Sequence, residues 1–354
     1  MSKKMKLIQR VLIIKLRHHG DTLLITPVIN TLKANFPNAE VDVLINKETM
    51  PMIENFSAIH HIFVLDKAWK KEGKVARLRH EWQLLANLRN RQYDVVINLA
   101  DQWNSAIITR LTGAKIRIGY DIYKRQSPFW KKCFTHLIPL GSVDKKHIVE
   151  QNLALLQPLQ LPQMDTQVSM TYSHQDKHIV TEKLKAHKVL GRYIVIQPTS
   201  RWFFKCWDES KWSELINTLQ QEGNQVVLTS GPDLREKEMV ETIIEGCTSN
   251  SVISLSGQLS LPQLAALIDN ARLFIGVDSV PMHMAAALKT PLVALFGPSK
   301  LFHWSPWEHI GEVLWAGNYG ELPDPDDVNT NTQTRYLSLI PVEDVLNAVR
   351  GQLK

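Results

Sequence analysis

Polar residues follow two apolar runs in the second half of the chain, and their types suit the binding of an anion. The run Leu273–Val277 is followed by Asp278 and by a proline that can begin a helix. Another run ends in Thr199 and Ser200, with Lys205 five residues further on. Hydroxyls, a lysine and the unpaired N–H groups of a helix start can together hold a diphosphate. The pattern therefore predicts a ligand that carries phosphate.

Acidic residues follow two further apolar runs. Asp21 comes after residues 10–16 and Gly20, where it can either cap a helix or act on a substrate. The tetrapeptide SGPD ends the run 225–229, and its Asp233 can either accept a ribose hydroxyl or form an ordinary turn. The sequence pattern leaves both pairs of alternatives open.

Motifs of several other functional classes do not occur in the sequence. It contains no G-x-x-x-x-G-K-[ST] loop, no G-x-G-x-x-G after the first strand, no G-x-S-x-G elbow and no H-E-x-x-H pair. Asp324 and Asp326 form a D-x-D motif, but they lie in a polar, proline-rich stretch that is typical of a solvated loop. We therefore expect neither a required metal nor another cofactor.

The elements that position these residues alternate between strand and helix, which predicts a doubly wound α/β fold. The continuous apolar runs are typical of parallel strands that are buried on both faces. In the first half we expect strands at residues 10–16, 40–45, 61–65, 94–99 and 116–120, and helices at 22–36, 75–90, 105–112 and 147–156.

The alternation restarts after a proline-containing boundary region at residues 141–188, where we expect a strand at 167–172 and a Lys-rich helix. Two domains are therefore predicted, residues 1–160 and 161–335, with a helix in 336–354 that packs back on the first domain. In the second half we expect strands at residues 193–197, 225–229, 252–255, 273–277 and 291–296, and helices at 208–222, 236–245, 261–270, 283–288 and 341–353.

Charge is distributed unevenly over the 354 residues. Residues 1–160 contain 25 Lys and Arg against 13 Asp and Glu, or +12, and the remainder carries −6, which together give the net charge of +6. Basic segments at 67–82 and 123–136 mix cations with aromatic residues. Such a face predicts an acidic partner: nucleic acid, an anionic membrane surface or a phosphorylated substrate. Three widely spaced cysteines favour a reducing, cytoplasmic location.

Seven short stretches, spread in order over most of the chain, resemble the ADP-heptose:lipopolysaccharide heptosyltransferases of glycosyltransferase family 9. The stretches are RHHGD, NLADQW, RQSPFWKK, PTSRWFFKCW, LTSGPD, GVDSVPMHMAAA and FGPS. The resemblance implies a GT-B fold, in which two facing Rossmann-like domains form a cleft, with the acceptor on the first domain and the nucleotide sugar on the second.

The resemblance also implies the reaction: inverting transfer of L-glycero-D-manno-heptose from ADP-heptose to the phosphorylated inner core of lipopolysaccharide, as a third, branching heptose on heptose II. The enzyme would work at the cytoplasmic face of the inner membrane of a Gram-negative cell and would not bind nucleic acid. Two alternatives stay open, namely a heptosyltransferase acting at a different core step and a basic module that binds nucleic acid or an anionic surface without catalysis.

Site roles follow from the resemblance by position. Asp21 would be the general base, Asp278 would bind heptose hydroxyls, Asp233 would hold the ribose and Leu259 would line the adenine. The remaining donor-binding residues would be Thr199, Ser200, Lys205, Ser279, Val280, Pro281, Met282 and His283, and the acceptor would contact Arg17, His19, Arg125, Lys131 and Lys132. The sequence departs from other members at Asp233, where some have Glu, and at His19, where others have Met.

Overall fold

The chain forms two compact units that divide between Ser169 and Met170. The computed structural model describes residues 8–189, 191–249 and 251–354, so residues 1–7 of the predicted first domain lie outside the described part. Within these residues each unit contains one six-stranded sheet in which every pairing is parallel. The predicted α/β class with two Rossmann-like domains is confirmed.

The first unit holds the strands β1 to β6 and the helices α1 to α6. The strands are β1 Arg10–Lys15, β2 Glu40–Asn46, β3 His61–Leu65, β4 Val95–Asn98, β5 Ile116–Asp121 and β6 His136–Pro139. The helices are α1 His19–Leu23, α2 Thr26–Asn35, α3 Lys74–Asn90, α4 Trp103–Leu111, α5 Pro128–Lys132 and α6 Ile148–Ala154.

The second unit holds the strands β7 to β12 and the helices α7 to α13. The strands are β7 Tyr193–Gln197, β8 Gln225–Leu228, β9 Ile253–Ser254, β10 Leu273–Val277, β11 Leu292–Phe296 and β12 Gly311–Trp315. The helices are α7 His174–Ala186, α8 Glu209–Gln221, α9 Leu234–Glu245, α10 Leu261–Asp269, α11 Val280–Ala287, α12 Leu301–Trp304 and α13 Val342–Gln352.

Both sheets have the same topology. The first has the order β3-β2-β1-β4-β5-β6, and the second, taken from the opposite edge, has the order β9-β8-β7-β10-β11-β12. The strand order reverses beside β1 and β4 in the first sheet and beside β7 and β10 in the second. In open α/β sheets ligands bind at the carboxyl ends of the strands at such switch points. The topology therefore marks one candidate position in each unit.

The helix expected at residues 22–36 is in fact two helices. α1 ends at Leu23, α2 begins at Thr26, and Pro27 occupies the first turn of α2. Proline has no N–H group and clashes with the carbonyl four residues earlier, so it is accepted in a first turn and not in the interior of a longer helix. The break leaves α1 as a separate short helix directly after β1.

The same contacts correct two predictions about the region between the domains. These are the domain boundary at residue 160 and the strand at residues 167–172. The backbone N–H groups of Asp165 and Ser169 donate to the hydroxyls of Thr31 and Thr26 on α2, both at 2.9 Å. Asn35 also donates to the carbonyl of residue 163 at 2.8 Å. These contacts keep residues 161–169 with the first unit, and residues 167–172 form no strand.

The final helix was expected on the first domain, but it packs in the second unit. The apolar residues of α13, among them Val345 and Val349, belong to one core cluster with residues of β10 and β11. Arg335, just before the helix, donates to the carbonyl of Trp207 at 2.9 Å and pairs with Glu209 at 2.7 Å. The core contacts and polar bonds therefore fix the C-terminal segment within its own unit.

Candidate functional site

In the first unit, Asp21 lies in the first turn of α1, immediately beyond the end of β1. Its Oδ1 is 3.4 Å from the Nζ of Lys15, the last residue of β1, which is only 3% exposed. Lys15 was not among the predicted site residues; its signal in the sequence was a lysine that closes an otherwise apolar strand. Burial lowers the pKa of Lys15, while the nearby Asp21 opposes that shift. The structure thus gives the candidate base a buried cationic neighbour.

Two of the predicted acceptor-binding arginines meet around the loop after β4. The guanidinium of Arg17 is 2.6 Å from the carboxylate of Asp101, and Arg125 donates to the backbone carbonyl of Asp101 at 3.1 Å. Arg125 also lies over the rings of Trp103 and Trp130, at 5.8 and 5.9 Å from their centroids. A basic cluster therefore lies beside Asp101 at the switch point of the first sheet, with Arg17 from the loop after β1 and Arg125 from the loop after β5.

The other predicted acceptor residues occupy different surroundings. His19 begins α1 and is partly buried, and this burial lowers the pKa of its imidazole, although a hydrogen bond with the backbone of Glu48 acts in the opposite direction. Lys131 and Lys132 lie exposed at the end of α5.

A cavity of about 600 Å³ opens at the ends of β1 to β3, with lining residues from these strand ends, from α3 and from α4.

In the second unit, the structure brings Asp278, Lys205 and Ser200 together at the ends of β7 and β10. The Oδ2 of Asp278 accepts hydrogen bonds from the Nζ of Lys205 and from the hydroxyl of Ser299, both at 2.6 Å. Ser200 donates to the backbone carbonyl of Asp278 at 3.5 Å. Ser299 belongs to the FGPS stretch, which the sequence analysis used only for the resemblance, so its contact with Asp278 was missed.

The loop that carries Ser200 and Lys205 is held by its own side chains. The N–H of Ser200 donates to the Sγ of Cys206 at 3.3 Å, and burial raises the pKa of that thiol to about 12. Lys205 ends a short 3-10 turn, and its Nζ lies 5.1 Å from the ring centroid of Trp202. A protonated, buried thiol serves here as a hydrogen-bond acceptor and not as a nucleophile.

Thr199 points to a different carboxylate, that of Glu236 in the first turn of α9. Its hydroxyl donates to Glu236 Oε2 at 2.6 Å, and the N–H of Gly231 donates to the same oxygen at 3.0 Å. Asp233, the predicted ribose ligand, is exposed and caps α9 by accepting the N–H of Arg235 at 3.0 Å. Glu236 was missed, although a glutamate three residues after a cap residue is a helix-start signal.

The remaining predicted donor residues surround the starts of two helices. Ser279 is the N-cap residue of α11, Val280 begins the helix, and Pro281, Met282 and His283 are buried in its first turn and a half. The helix start follows β10 directly, so its positive dipole end lies at the switch point of the second sheet. Leu259 is partly buried and directly precedes the cap residue of α10.

The D-x-D motif forms a local turn. Asp324 accepts the N–H of Asp326 at 2.8 Å, and the carboxylate of Asp326 pairs with Lys300 at 2.5 Å. Within the described part of the chain, no group of three or more His, Cys, Asp or Glu residues is placed to hold a metal ion. In the same residues, no helix combines the length and the apolarity needed to cross a membrane.

Two parallel sheets of this topology, with polar side chains gathered at each switch point, form the framework of the GT-B glycosyltransferases. The model of glycosyltransferase family 9 (heptosyltransferase) matches residues 81–334, and the chain belongs to this family. It is thus an enzyme of the heptosyltransferase class.

Individual relatives agree with this assignment. The chain is 43% identical over 335 residues to lipopolysaccharide heptosyltransferase 3 of Escherichia coli, which covers 94% of this chain and 96% of that protein. The solved family 9 glycosyltransferase of Veillonella parvula DSM 2008 has a TM-score of 0.84 at 21% identity and covers 98% of this chain and 97% of its own. E. coli ADP-heptose lipopolysaccharide heptosyltransferase II has a TM-score of 0.76 at 22% identity, with 98% of both chains covered. These structures confirm the predicted GT-B fold.

Proposed function

We propose that this enzyme transfers L-glycero-D-manno-heptose from ADP-heptose to the inner core of lipopolysaccharide, adding the third, branching heptose to heptose II. The observation that carries the proposal is the 43% identity to lipopolysaccharide heptosyltransferase 3 over nearly the whole of both chains. The alternative of a nucleic-acid-binding module is not favoured, because the chain belongs to a family of transferases.

The second unit is proposed to hold the donor. The carboxylate of Asp278 is a buried, acceptor-only group, and such a carboxylate is suited to hydrogen bonds from sugar hydroxyls. The Nζ of Lys205 and the start of α11 offer positive charge and N–H groups to the diphosphate. Ser200 and the backbone of Ser279 add further donors. Lys205 then stabilises the negative charge that develops on the departing ADP.

A second carboxylate is proposed to bind the nucleoside end of the donor. Asp233 was the predicted ribose ligand, but its carboxylate caps α9. Glu236 has its carboxylate beside Thr199 and Gly231 at the ends of β7 and β8, and a carboxylate there can accept ribose hydroxyls. We therefore favour Glu236 over Asp233 for the ribose. Leu259 stays assigned to the adenine.

The first unit is proposed to supply the general base and to bind the acceptor. A hydroxyl of the acceptor heptose attacks the anomeric carbon of the donor, its proton passes to the carboxylate of Asp21, and the bond from the anomeric carbon to the diphosphate oxygen breaks. ADP leaves with the bonding electrons, and the anomeric configuration inverts. Arg17 and Arg125 lie in a basic cluster suited to acceptor phosphates, with His19, Lys131 and Lys132 as further contacts.

The setting of the reaction is part of the proposal. The acceptor is a phosphorylated core structure that is presented at the cytoplasmic face of the inner membrane, where the enzyme would act as a peripheral protein.

No metal is assigned a role, because Lys205 and the start of α11 can neutralise the leaving diphosphate. Turnover in excess EDTA should therefore equal turnover without chelator, and a loss that Mg²⁺ restores would contradict this part of the proposal.

The decisive experiment is an acceptor panel. The purified enzyme is incubated with ADP-heptose and with core oligosaccharides that end at heptose I, at heptose II or at phosphorylated heptose II, and products are identified by mass spectrometry and by NMR of the new linkage. Transfer to the branching position of heptose II, with inverted configuration, is expected. Transfer only to an earlier acceptor would move the enzyme to a different core step, and transfer from other nucleotide sugars alone would refute the donor.

A further inference from the structure

One face of the first unit exposes apolar side chains that a protein of this kind normally buries. On α3, Val75, Leu78 and Trp82 are 82%, 65% and 73% exposed, although their spacing places them on one side of the helix. Of the 17 residues of α3, only Leu84 and Leu88 are buried. The first half of α3 thus presents an apolar stripe to solvent.

The stripe continues on the two neighbouring helices. α3 contacts α4, and α4 contacts α5, so the three helices lie side by side on the same unit. Ile107 and Leu111 on α4 and Phe129 on α5 are also exposed. Among the described residues, 8 of the 14 exposed large apolar side chains fall between residues 75 and 129, so the distribution is concentrated and not scattered. We call Val75, Leu78, Trp82, Ile107, Leu111 and Phe129 the α3–α5 face.

The same three helices carry a strong positive charge. Together they contain seven basic residues and one acidic residue, Glu81. That glutamate is itself paired with Arg77 at 2.7 Å. The basic residues are Lys74, Arg77, Arg79, Arg89, Arg110, Lys131 and Lys132.

We propose that the α3–α5 face docks the enzyme onto a bilayer surface rich in anionic phospholipid. Exposed aliphatic and aromatic side chains with flanking cations are the pattern of interfacial membrane helices, whose apolar residues enter the headgroup boundary while the cations remain at the phosphates. A nucleic acid would use the cations but has no partner for Val75, Leu78 and Ile107. A second copy of the chain would bring two positively charged faces together. The lipid surface alone satisfies both the charge and the apolar area.

The cavity of the first unit links this face to the proposed acceptor residues. Its lining residues include Leu78 and Trp82 on α3 and Ile107 on α4, together with Leu16 and Arg17 after β1. A bilayer against the α3–α5 face would therefore lie at the mouth of a cavity that reaches the end of β1. The docking surface rests on the proposed function only for its biological role, because vesicle binding itself requires neither donor nor acceptor.

The test is co-sedimentation of the full chain with vesicles of phosphatidylethanolamine containing roughly one-quarter phosphatidylglycerol, compared with phosphatidylcholine vesicles. Binding to the anionic vesicles is expected, and it should weaken as salt is raised from roughly 0.1 M to 0.5 M. The pair Leu78→Ser and Trp82→Ser should lower the partition coefficient at least about tenfold, and the pair Lys74→Glu and Arg79→Glu should do the same.

Matched controls lie in the second unit. Leu234→Ser with Phe302→Ser removes two side chains of comparable exposure, and Lys177→Glu with Lys185→Glu reverses two exposed charges. These variants should bind vesicles as the parent does, and circular dichroism melts should show that all variants fold.

Three outcomes would overturn the proposal. The first is equal binding to anionic and phosphatidylcholine vesicles, and the second is an equal loss of vesicle binding in the control variants. The third is a protein that does not bind vesicles but forms a dimer or a nucleic-acid complex, which the α3 variants abolish. A protein that binds vesicles through this face but transfers no heptose would leave the docking surface intact and refute only the proposed reaction. An active transferase that does not bind the vesicles would support the proposed reaction and refute the docking surface.

Discussion

The pair formed by Lys205 and Asp278 supports the sharpest quantitative prediction. Both side chains are largely buried, at 14% and 7% exposure, and their charged atoms are 2.6 Å apart. Replacing Lys205 by Met leaves a buried carboxylate without its cation, which typically costs about 3 to 5 kcal/mol. Because Ser299 still donates to the same oxygen, the carboxylate keeps one partner, and we expect a loss at the lower end of this range, about 3 kcal/mol.

Urea and thermal unfolding of four proteins would measure this loss: the parent, Lys205→Met, Asp278→Asn and the double variant. The double variant should be more stable than the sum of the single losses predicts, by about 1 kcal/mol or more, since it leaves no unpaired charge. Lys300→Met is the matched control, because its pair with Asp326 is 34% and 72% exposed and should be worth under about 1 kcal/mol. If the loss in the double variant equals the sum of the two single losses to within about 0.5 kcal/mol, the coupling between Lys205 and Asp278 is refuted.

Three further predictions concern individual site residues. Asp21→Asn should lower turnover at least about 10²-fold with donor affinity unchanged, as measured by initial rates and calorimetry, and a fully active variant would exclude Asp21 as the base. Asp233→Ala should cost about 1 kcal/mol of stability, because the cap of α9 is lost, and should change the KM for the donor little. Glu236→Gln should raise the KM for the donor. If Asp233→Ala raises this KM and Glu236→Gln does not, Asp233 is the ribose ligand. Burial lowers the pKa of His19 below the usual 6.5, so the unfolded chain takes up the proton first, and the free energy of unfolding falls as pH drops below 6.5. His19→Met should reduce this fall in acid urea titrations, and an unchanged fall would contradict the role of His19.

The contacts of Glu236 and Asp233 show where sequence reasoning reaches its limit. Both residues follow the same strand, and either carboxylate could serve a ribose by position alone. The choice depends on which of them is used to cap α9, and that depends on the backbone path of SGPD. Lys15 was overlooked for a similar reason: a lysine in an apolar run gives no sign of its partner until α1 turns Asp21 toward it.

The sequence by itself determined the fold class and most of the elements, although it did not predict β6 or β12 and it merged α1 with α2. The bounds predicted for the strands Leu273–Val277 and Tyr193–Gln197 agree with the structure, because strands that are buried on both faces consist mainly of continuous apolar residues. It also determined which polar residues follow the strands, and therefore which groups lie at the ligand-binding edge of each sheet.

The tertiary structure alone decided the partners. It placed Ser299 on Asp278, directed Thr199 to Glu236, and packed α13 in its own unit. It also left Val75, Leu78 and Trp82 exposed, although their pattern in the sequence is that of any buried helix face. Periodicity specifies which side of an element is apolar, whereas the arrangement of distant elements decides what, if anything, covers that side.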